Sequence, residues 1–223
     1  MRGKLIVFEG IEGSGKTTQI QYLRQWLDSK FTKDGLSSDP TGVIVTRQPG
    51  GTSIGQQIRQ VLLQPSVGTE SLTSTSELLL YAADRAHHVE RILLPALETG
   101  HLVLCDRYTA STVAYQGYGR KLDLGLIKTL NTIATKGLTS DLTLWLKLDV
   151  AVGLERMTNR GQADRIEQAS IEFHRRVHGG FAAQAQQDRF ITVDGSLTQE
   201  AVAEQIQARS EEHTSELQSR PHI

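Results

Sequence analysis

Leu5-Ile6-Val7-Phe8-Glu9-Gly10-Ile11-Glu12-Gly13-Ser14-Gly15-Lys16-Thr17 decides the fold of this chain. Leu5 to Phe8 is a short β-rich apolar run closed by glycine, which predicts a buried strand. A helix is predicted from about Thr17 to Lys30, because Ile20, Leu23 and Leu27 recur at helical spacing. Between strand and helix, Gly10-Ile11-Glu12-Gly13-Ser14-Gly15-Lys16-Thr17 fits the phosphate-loop pattern G-x-x-x-x-G-K-[ST] in full. Glycines let the backbone turn tightly, so its N–H groups converge on phosphate oxygens. The following helix adds the positive end of its dipole. Lys16 is expected to reach the β- and γ-phosphates and the Thr17 hydroxyl to ligate Mg²⁺. The chain therefore binds a nucleoside triphosphate, ATP in the reading developed below.

Outward from this unit, short apolar runs alternate with longer amphipathic ones. Strands are predicted at Val43–Val45, Leu102–Leu104, Leu142–Leu148 and Phe190–Val193. Helices are predicted around Ile54–Leu62, from an N-cap at Ser76 to a bend or break at Pro95, around Leu126–Ile133, over Val150–Thr158, from Ser170, and from Thr198 to about Arg209. Alternation of this kind predicts an α/β domain, a mostly parallel five-stranded sheet with helices on both faces. The 223 residues suit one domain at about 100–200 residues each. We expect that domain over 1–208, with a short lid at about 156–168.

Residues 209–223 are expected to be a non-native tail. They carry no apolar face, and Arg209–Ser219 resembles a translated sequencing adapter.

Lysine and arginine total 24 against 25 acidic residues, which argues against broad binding to nucleic acid or anionic membrane. A single cysteine, Cys105, excludes an internal disulfide and suits a reducing compartment. No apolar run approaches a membrane span or a signal-peptide core, so a cytoplasmic protein is expected. Cys105 itself reads as a buried small residue. His87 and His88, adjacent on a helix, do not suggest a metal site. His174 and His178 share a face but lack the glutamate of a zinc-protease pattern, and both read as surface residues.

Further segments describe what receives the phosphate. Thr46-Arg47-Gln48-Pro49-Gly50-Gly51-Thr52 follows the second strand, where loops of such sheets line the ligand crevice, so Arg47 and Pro49 are candidate contacts. Tyr81 and Arg85 lie at i and i+4, placing an aromatic ring and a guanidinium on one helix face. Asp106-Arg107-Tyr108 follows the third strand and leads to Thr112, Tyr115 and Gln116. Arg156, Arg160 and Arg165 surround a glycine-containing break. Arginine forks suit phosphate and an aromatic ring suits a base, so the expected acceptor is a nucleoside monophosphate.

GIEGSGKTTQ, TRQPGGTSIG, ELLLYAADRAHHV, DRYTASTVAYQG and RGQADRIE occur in that order. Together they resemble the bacterial thymidylate kinase family over about Lys4 to Ala208. The resemblance implies a P-loop kinase fold, ATP- and Mg²⁺-dependent conversion of dTMP to dTDP, and a homodimer. By the same resemblance Tyr81 stacks on thymine, Arg85 hydrogen-bonds the base and Arg107 holds the acceptor phosphate. Thr112, Tyr115 and Gln116 line the sugar and base pocket, Glu12 sits near the acceptor sugar and metal, and Asp106 helps position magnesium.

The chain departs from many relatives at Gln48 (glutamate there), Tyr81 (phenylalanine) and Gly13 (a basic residue in some). With Gly13 neutral, charge on the transferring phosphoryl falls to Lys16, Mg²⁺ and a lid arginine, Arg160 or Arg165, acting as an internal finger. Two other readings stand beside this one: a kinase for another nucleoside or monophosphate, and a P-loop switch or ATPase. The missing N-K-x-D guanine motif counts against a switch GTPase.

Overall fold

The computed structural model describes residues 2–33, 42–64, 71–158 and 164–218. Five strands form one sheet: β1 (Leu5–Glu9), β2 (Val43–Arg47), β3 (Leu102–Asp106), β4 (Leu142–Lys147) and β5 (Phe190–Asp194). The order is β2-β3-β1-β4-β5 and every pairing is parallel. Parallel strands need crossover helices, which cover both faces and explain the unbroken apolar runs. β1 lies at the centre, buried along its whole length.

The connecting helices are α1 (Lys16–Lys33), α2 (Ser53–Leu63), α3 (Ser74–His88), α4 (Leu94–Glu98), α5 (Thr109–Thr112), α6 (Leu124–Thr135), α7 (Val150–Thr158), α8 (Ile171–Gln184) and α9 (Gln199–Gln218). On one face Ile20, Leu23 and Leu27 of α1, with Val202 and Ile206 of α9, pack on Ile6, Phe8 and Leu144. On the other, Leu5, Val7 and Val103 meet Val89, Leu93 and Leu97. Beyond β4, Trp145 packs with Tyr115, Phe173, Val177 and Phe181. Cys105 is fully buried, as its place at a strand end predicts.

Local details differ from the sequence reading. α3 is capped by Thr73, whose hydroxyl accepts from Ser76 N, so Ser76 lies inside the helix instead of capping it. Before Pro95 the chain widens into a π-turn at Val89–Leu93 and continues as α4. Proline cannot donate to the preceding turn, and the wider turn accommodates it.

The last helix does not stop near Arg209 but runs to Gln218. Intrinsic helix propensity of residues such as Glu211 carries the backbone beyond the apolar pattern of Val202 and Ile206. Glu211 also pairs with Lys30 of α1. Of the expected lid, residues 159–163, including Arg160, lie outside the described residues.

Candidate active site

Loops at the carboxyl ends of β1, β2 and β3 converge on one cleft, the expected place for a ligand in such a sheet. Glu12, Gly13, Gly15, Lys16 and Thr17 line one part, with Asp106 and Arg107 beside them. Arg47, Pro49, Tyr81, Arg85, Thr112, Tyr115 and Gln116 line the rest. The structure thus brings nearly all the described candidates into one cavity. Gly10, Ile11 and Ser14 complete the loop, with Gly10, Gly13 and Gly15 at positive φ.

At Gly13 (φ 73) a Cβ would stand 2.4 Å from the carbonyl oxygen of Gly153 in α7. A basic side chain at this position would therefore need the loop and α7 to move apart. Arg156, one turn along α7, donates to Gly13 O at 3.3 Å and braces the same contact.

Lys16 Nζ folds back on its own loop, donating to Gly10 O at 3.1 Å, Ile11 O at 3.0 Å and Ser14 Oγ at 3.4 Å. Burial, with the like charge of Arg107, lowers its pKa to about 8.

Arg107 occupies the left-handed region at φ 70, a conformation that costs a non-glycine residue about 1–3 kcal/mol. Its backbone N–H donates to Phe8 O at 2.9 Å, fixing the turn after β3. The guanidinium donates to Gly10 O (2.9 Å), Ser111 Oγ (3.2 Å) and Glu12 Oε1 (2.8 Å), and lies 5.1 Å from the Tyr115 ring centre. Tyr115 donates its hydroxyl to the same Glu12 carboxylate at 2.7 Å. Burial opposes ionisation of Glu12, yet Arg107 and Lys16 hold its carboxyl below the usual range.

Arg85 is almost fully buried. It donates to Gln48 Oε1 (2.9 Å), Thr112 Oγ1 (2.6 Å), Asn131 Oδ1 (2.9 Å) and Tyr108 O (3.0 Å). Gln48 in turn reaches His88 Nδ1 at 2.8 Å, and His88 Nε2 reaches Thr46 Oγ1 at 2.6 Å. Because the Gln48 amide nitrogen donates, His88 accepts at Nδ1 and carries its proton on Nε2. Burial and the neighbouring Arg85 push this histidine down to about 4, so it is neutral at physiological pH. The loop passes close enough to α3 that a Cβ on Gly51 would meet the His88 ring at 2.5 Å. Gln48 therefore serves as the uncharged hub between Arg85 and His88.

Several buried groups escaped the sequence reading. Glu9, the last residue of β1, is fully buried and accepts from Tyr108 N, Ser111 N and Ser111 Oγ. Glu77, also fully buried, lies four residues before Tyr81 on α3, accepts hydrogen bonds from Gln116 and Arg120, and forms an ion pair with Arg165. The visible signal was a polar series at 77, 81 and 85, one every helical turn.

His174 is not a surface residue: it is 1% exposed, with Nδ1 3.9 Å from Glu12 Oε2. Its face is shared with Val177 and Phe181, and that apolar company outweighs the charged neighbours Arg175 and Arg176. His178 is half-buried against Trp145, with ring centres 5.5 Å apart. Among the described residues no cluster of three His, Cys, Asp or Glu forms a metal cage.

Arg165 lies beside the cleft with its guanidinium turned away from it. Nε donates to Leu62 O at 2.9 Å and Nη2 pairs with Glu77 Oε2 at 2.7 Å.

Comparison with known proteins agrees with this geometry. A family model described as thymidylate kinase matches residues 8–206. A thymidylate kinase of Trichodesmium erythraeum is 54% identical over 214 residues, covering 93% of this chain and 95% of its own. One from a Cyanothece strain is 56% identical over 223 residues, covering 95% of each chain. The crystal structure of thymidylate kinase from Ehrlichia chaffeensis superposes with a TM-score of 0.74 at 29% identity, over 94% of this chain and all of that one. On the family match and on relatives more than half identical across nearly their whole length, the chain belongs to the thymidylate kinase family.

Proposed function

We propose that the protein transfers the γ-phosphoryl group of ATP to the phosphate of dTMP, giving dTDP and ADP. One observation carries the reading: the loop holding Lys16 and Thr17 and the set Arg107, Tyr81, Arg85 and Gln116 face a single cleft. Phosphoryl transfer needs in-line placement and charge neutralisation more than covalent chemistry, so no phosphoenzyme is involved. The loop N–H groups and Lys16 hold the donor phosphates, and Arg107 holds the acceptor phosphate. The half-buried Tyr81 ring stacks on the base, Arg85 donates to it, and Thr112, Tyr115 and Gln116 enclose sugar and base. Arg47 and Pro49 close the pocket from the β2 side.

Mg²⁺ fits this donor set. Asp106 Oδ1 is buried without a hydrogen-bond partner among the described residues, and it shares the cleft with Thr17. Thr17 and Asp106 would hold the ion, which neutralises phosphate charge when bound. Glu12 borders the same region, where it orients Arg107 toward the acceptor. The lid arginine that completes neutralisation is Arg160, or Arg165 after release from Glu77. We assign the activity to residues 1–208 and none of it to 209–223.

We also propose a cytoplasmic homodimer that needs neither membrane nor nucleic acid. Leu79 of α3 and Leu126 and Ile133, seven residues apart on α6, are exposed on two helices in mutual contact, and offer an apolar face for a second copy. Among the described residues no helix is long and apolar enough to cross a membrane.

ADP release from ATP and Mg²⁺ tests the reading, with dTMP, dUMP, dCMP, dGMP, AMP and thymidine compared as acceptors. Turnover with dTMP well above the rest is expected. Turnover with thymidine but not dTMP would move the protein to the nucleoside kinases, and acceptor-independent hydrolysis would make it an ATPase.

Lys16 gives this activity a pH signature. In the free protein its pKa is about 8, and bound phosphates favour the charged form. Binding of ATP above that pH therefore requires proton uptake, and affinity should fall by up to about tenfold per unit as pH rises past 8. Below 8 this group contributes no slope. Titration of ATP binding between pH 6.5 and 9.5 checks it, with Lys16→Arg as the control that does not titrate; an equal slope in both would remove Lys16 as the source.

A further inference from the structure

We propose that Glu77 sets base specificity from behind the pocket: by accepting the Gln116 amide N–H it turns the Gln116 carbonyl oxygen toward the base. The inference rests on the dTMP reading above. Glu77 Oε1 receives Gln116 Nε2 at 2.8 Å and Arg120 Nε at 3.2 Å; Oε2 receives Arg120 Nη2 at 3.0 Å and forms an ion pair with Arg165 Nη2 at 2.7 Å. Two guanidinium groups keep the buried carboxyl below the usual range despite the opposing effect of burial. An ionised carboxylate only accepts hydrogen bonds, so the amide nitrogen of Gln116 must face it. The amide orientation is thus dictated by chemistry. Among the described residues no donor reaches the remaining Gln116 oxygen, and Gln116 lines the cleft beside Arg85.

Arg85 supplies the complementary half. Its Nε and both Nη1 hydrogens, and one on Nη2, are directed at protein oxygens, which leaves one Nη2 N–H. Arg85 and Gln116, both lining the cleft, therefore offer it one donor and one acceptor. Thymine and uracil carry the matching pair, the O4 acceptor next to the N3–H donor. Cytosine carries the reverse, an N4 amino donor next to the N3 acceptor, and meets like against like at both positions. Buried polar groups left facing their own kind are a strong source of discrimination.

Replacing Glu77 by glutamine makes a sharp prediction. Its oxygen would settle where two arginines converge, at the Oε2 position, leaving an amide N–H₂ facing Gln116. The Gln116 amide must then flip and present its own N–H₂ to the base. In Glu77→Gln, preference for dTMP over dCMP, measured as a ratio of kcat/KM values, should fall at least about tenfold. Preference for dTMP over dUMP should not change, since their hydrogen-bonding edges are the same; a merely structural lesion would not separate the two ratios. In a Gln116→Met background the Glu77→Gln change should have no further effect on the dCMP ratio, while Glu77→Asp should largely preserve it.

An unchanged dCMP ratio in folded Glu77→Gln, or an equal fall in both ratios, would overturn the proposal. Should Glu77→Gln fail to fold, Gln116→Met decides: an unchanged dTMP-over-dCMP ratio overturns the proposal, and a fall of at least about tenfold, down to the discrimination that Arg85 retains, supports it. A wild-type protein that does not phosphorylate dTMP would instead sink the functional reading, and this inference with it.

Discussion

Arg107→Gly should lower kcat/KM for dTMP by about 10³, the upper end of what losing one preorganised charged donor costs, while leaving the melting temperature at or above that of Arg107→Ala. The two parts of the expectation have separate causes. The guanidinium makes three hydrogen bonds at once, to Gly10 O, Ser111 Oγ and the Glu12 carboxylate, and so stands at the border of donor loop and acceptor pocket. A flexible ammonium cannot reproduce that fork, so Arg107→Lys should recover less than about tenfold of the loss.

The backbone, by contrast, gains from glycine. At φ 70 any L-residue is strained, and glycine relieves the strain that alanine keeps. Steady-state kinetics and thermal melts on the three variants check this. Activity of Arg107→Gly within about threefold of wild type would take Arg107 out of the acceptor site. An Arg107→Ala variant more stable than Arg107→Gly would show that the turn is not strained.

How much of this was legible follows from where each constraint is encoded. The phosphate loop is local: glycine spacing, lysine and hydroxyl all lie within eight consecutive residues, and strand and helix flank them. Tyr81 and Arg85 were legible because helical spacing puts them on one face without knowledge of any partner. Glu77 and His88 belong to the same helix, but their roles depend on Gln116, Arg120 and Gln48, which approach from other loops. A polar series alone does not say whether it faces water or a buried network.

His174 shows the converse. Its adjacent arginines suggest solvent, while burial is decided by how α8 packs on the segment Val113–Gly119. That segment is a π-turn, and one extra residue per turn brings both Tyr115 and Gln116 into the interior. Its two glycines, Gly117 and Gly119, disfavour an ordinary helix but do not by themselves specify a π-turn.

Glu9 is the sharpest case, because a carboxylate closing an apolar strand reads as the point where the strand meets water. Instead it organises the turn that carries Arg107, and Glu9→Ala should be among the most destabilising single changes in the protein. Two backbone donors, Tyr108 N at 2.8 Å and Ser111 N at 3.1 Å, converge on Oε1, and Ser111 Oγ meets Oε2 at 2.6 Å. Alanine leaves both N–H groups buried without an acceptor, at about 1–3 kcal/mol each.

Glu9→Gln should behave quite differently. An amide oxygen at the Oε1 position still accepts both backbone bonds, and its N–H₂ at Oε2 can donate to the Ser111 hydroxyl, which rotates to accept. Burial already pushes the Glu9 carboxyl up, so the ionised form is penalised and wild-type stability declines as pH rises through that raised value. The glutamine variant has no such charge and should lose that slope. Denaturant melts of both variants between pH 4 and 8 distinguish the outcomes. A loss in Glu9→Gln as large as that in Glu9→Ala would mean that the carboxylate charge, and not its geometry as an acceptor, holds the turn.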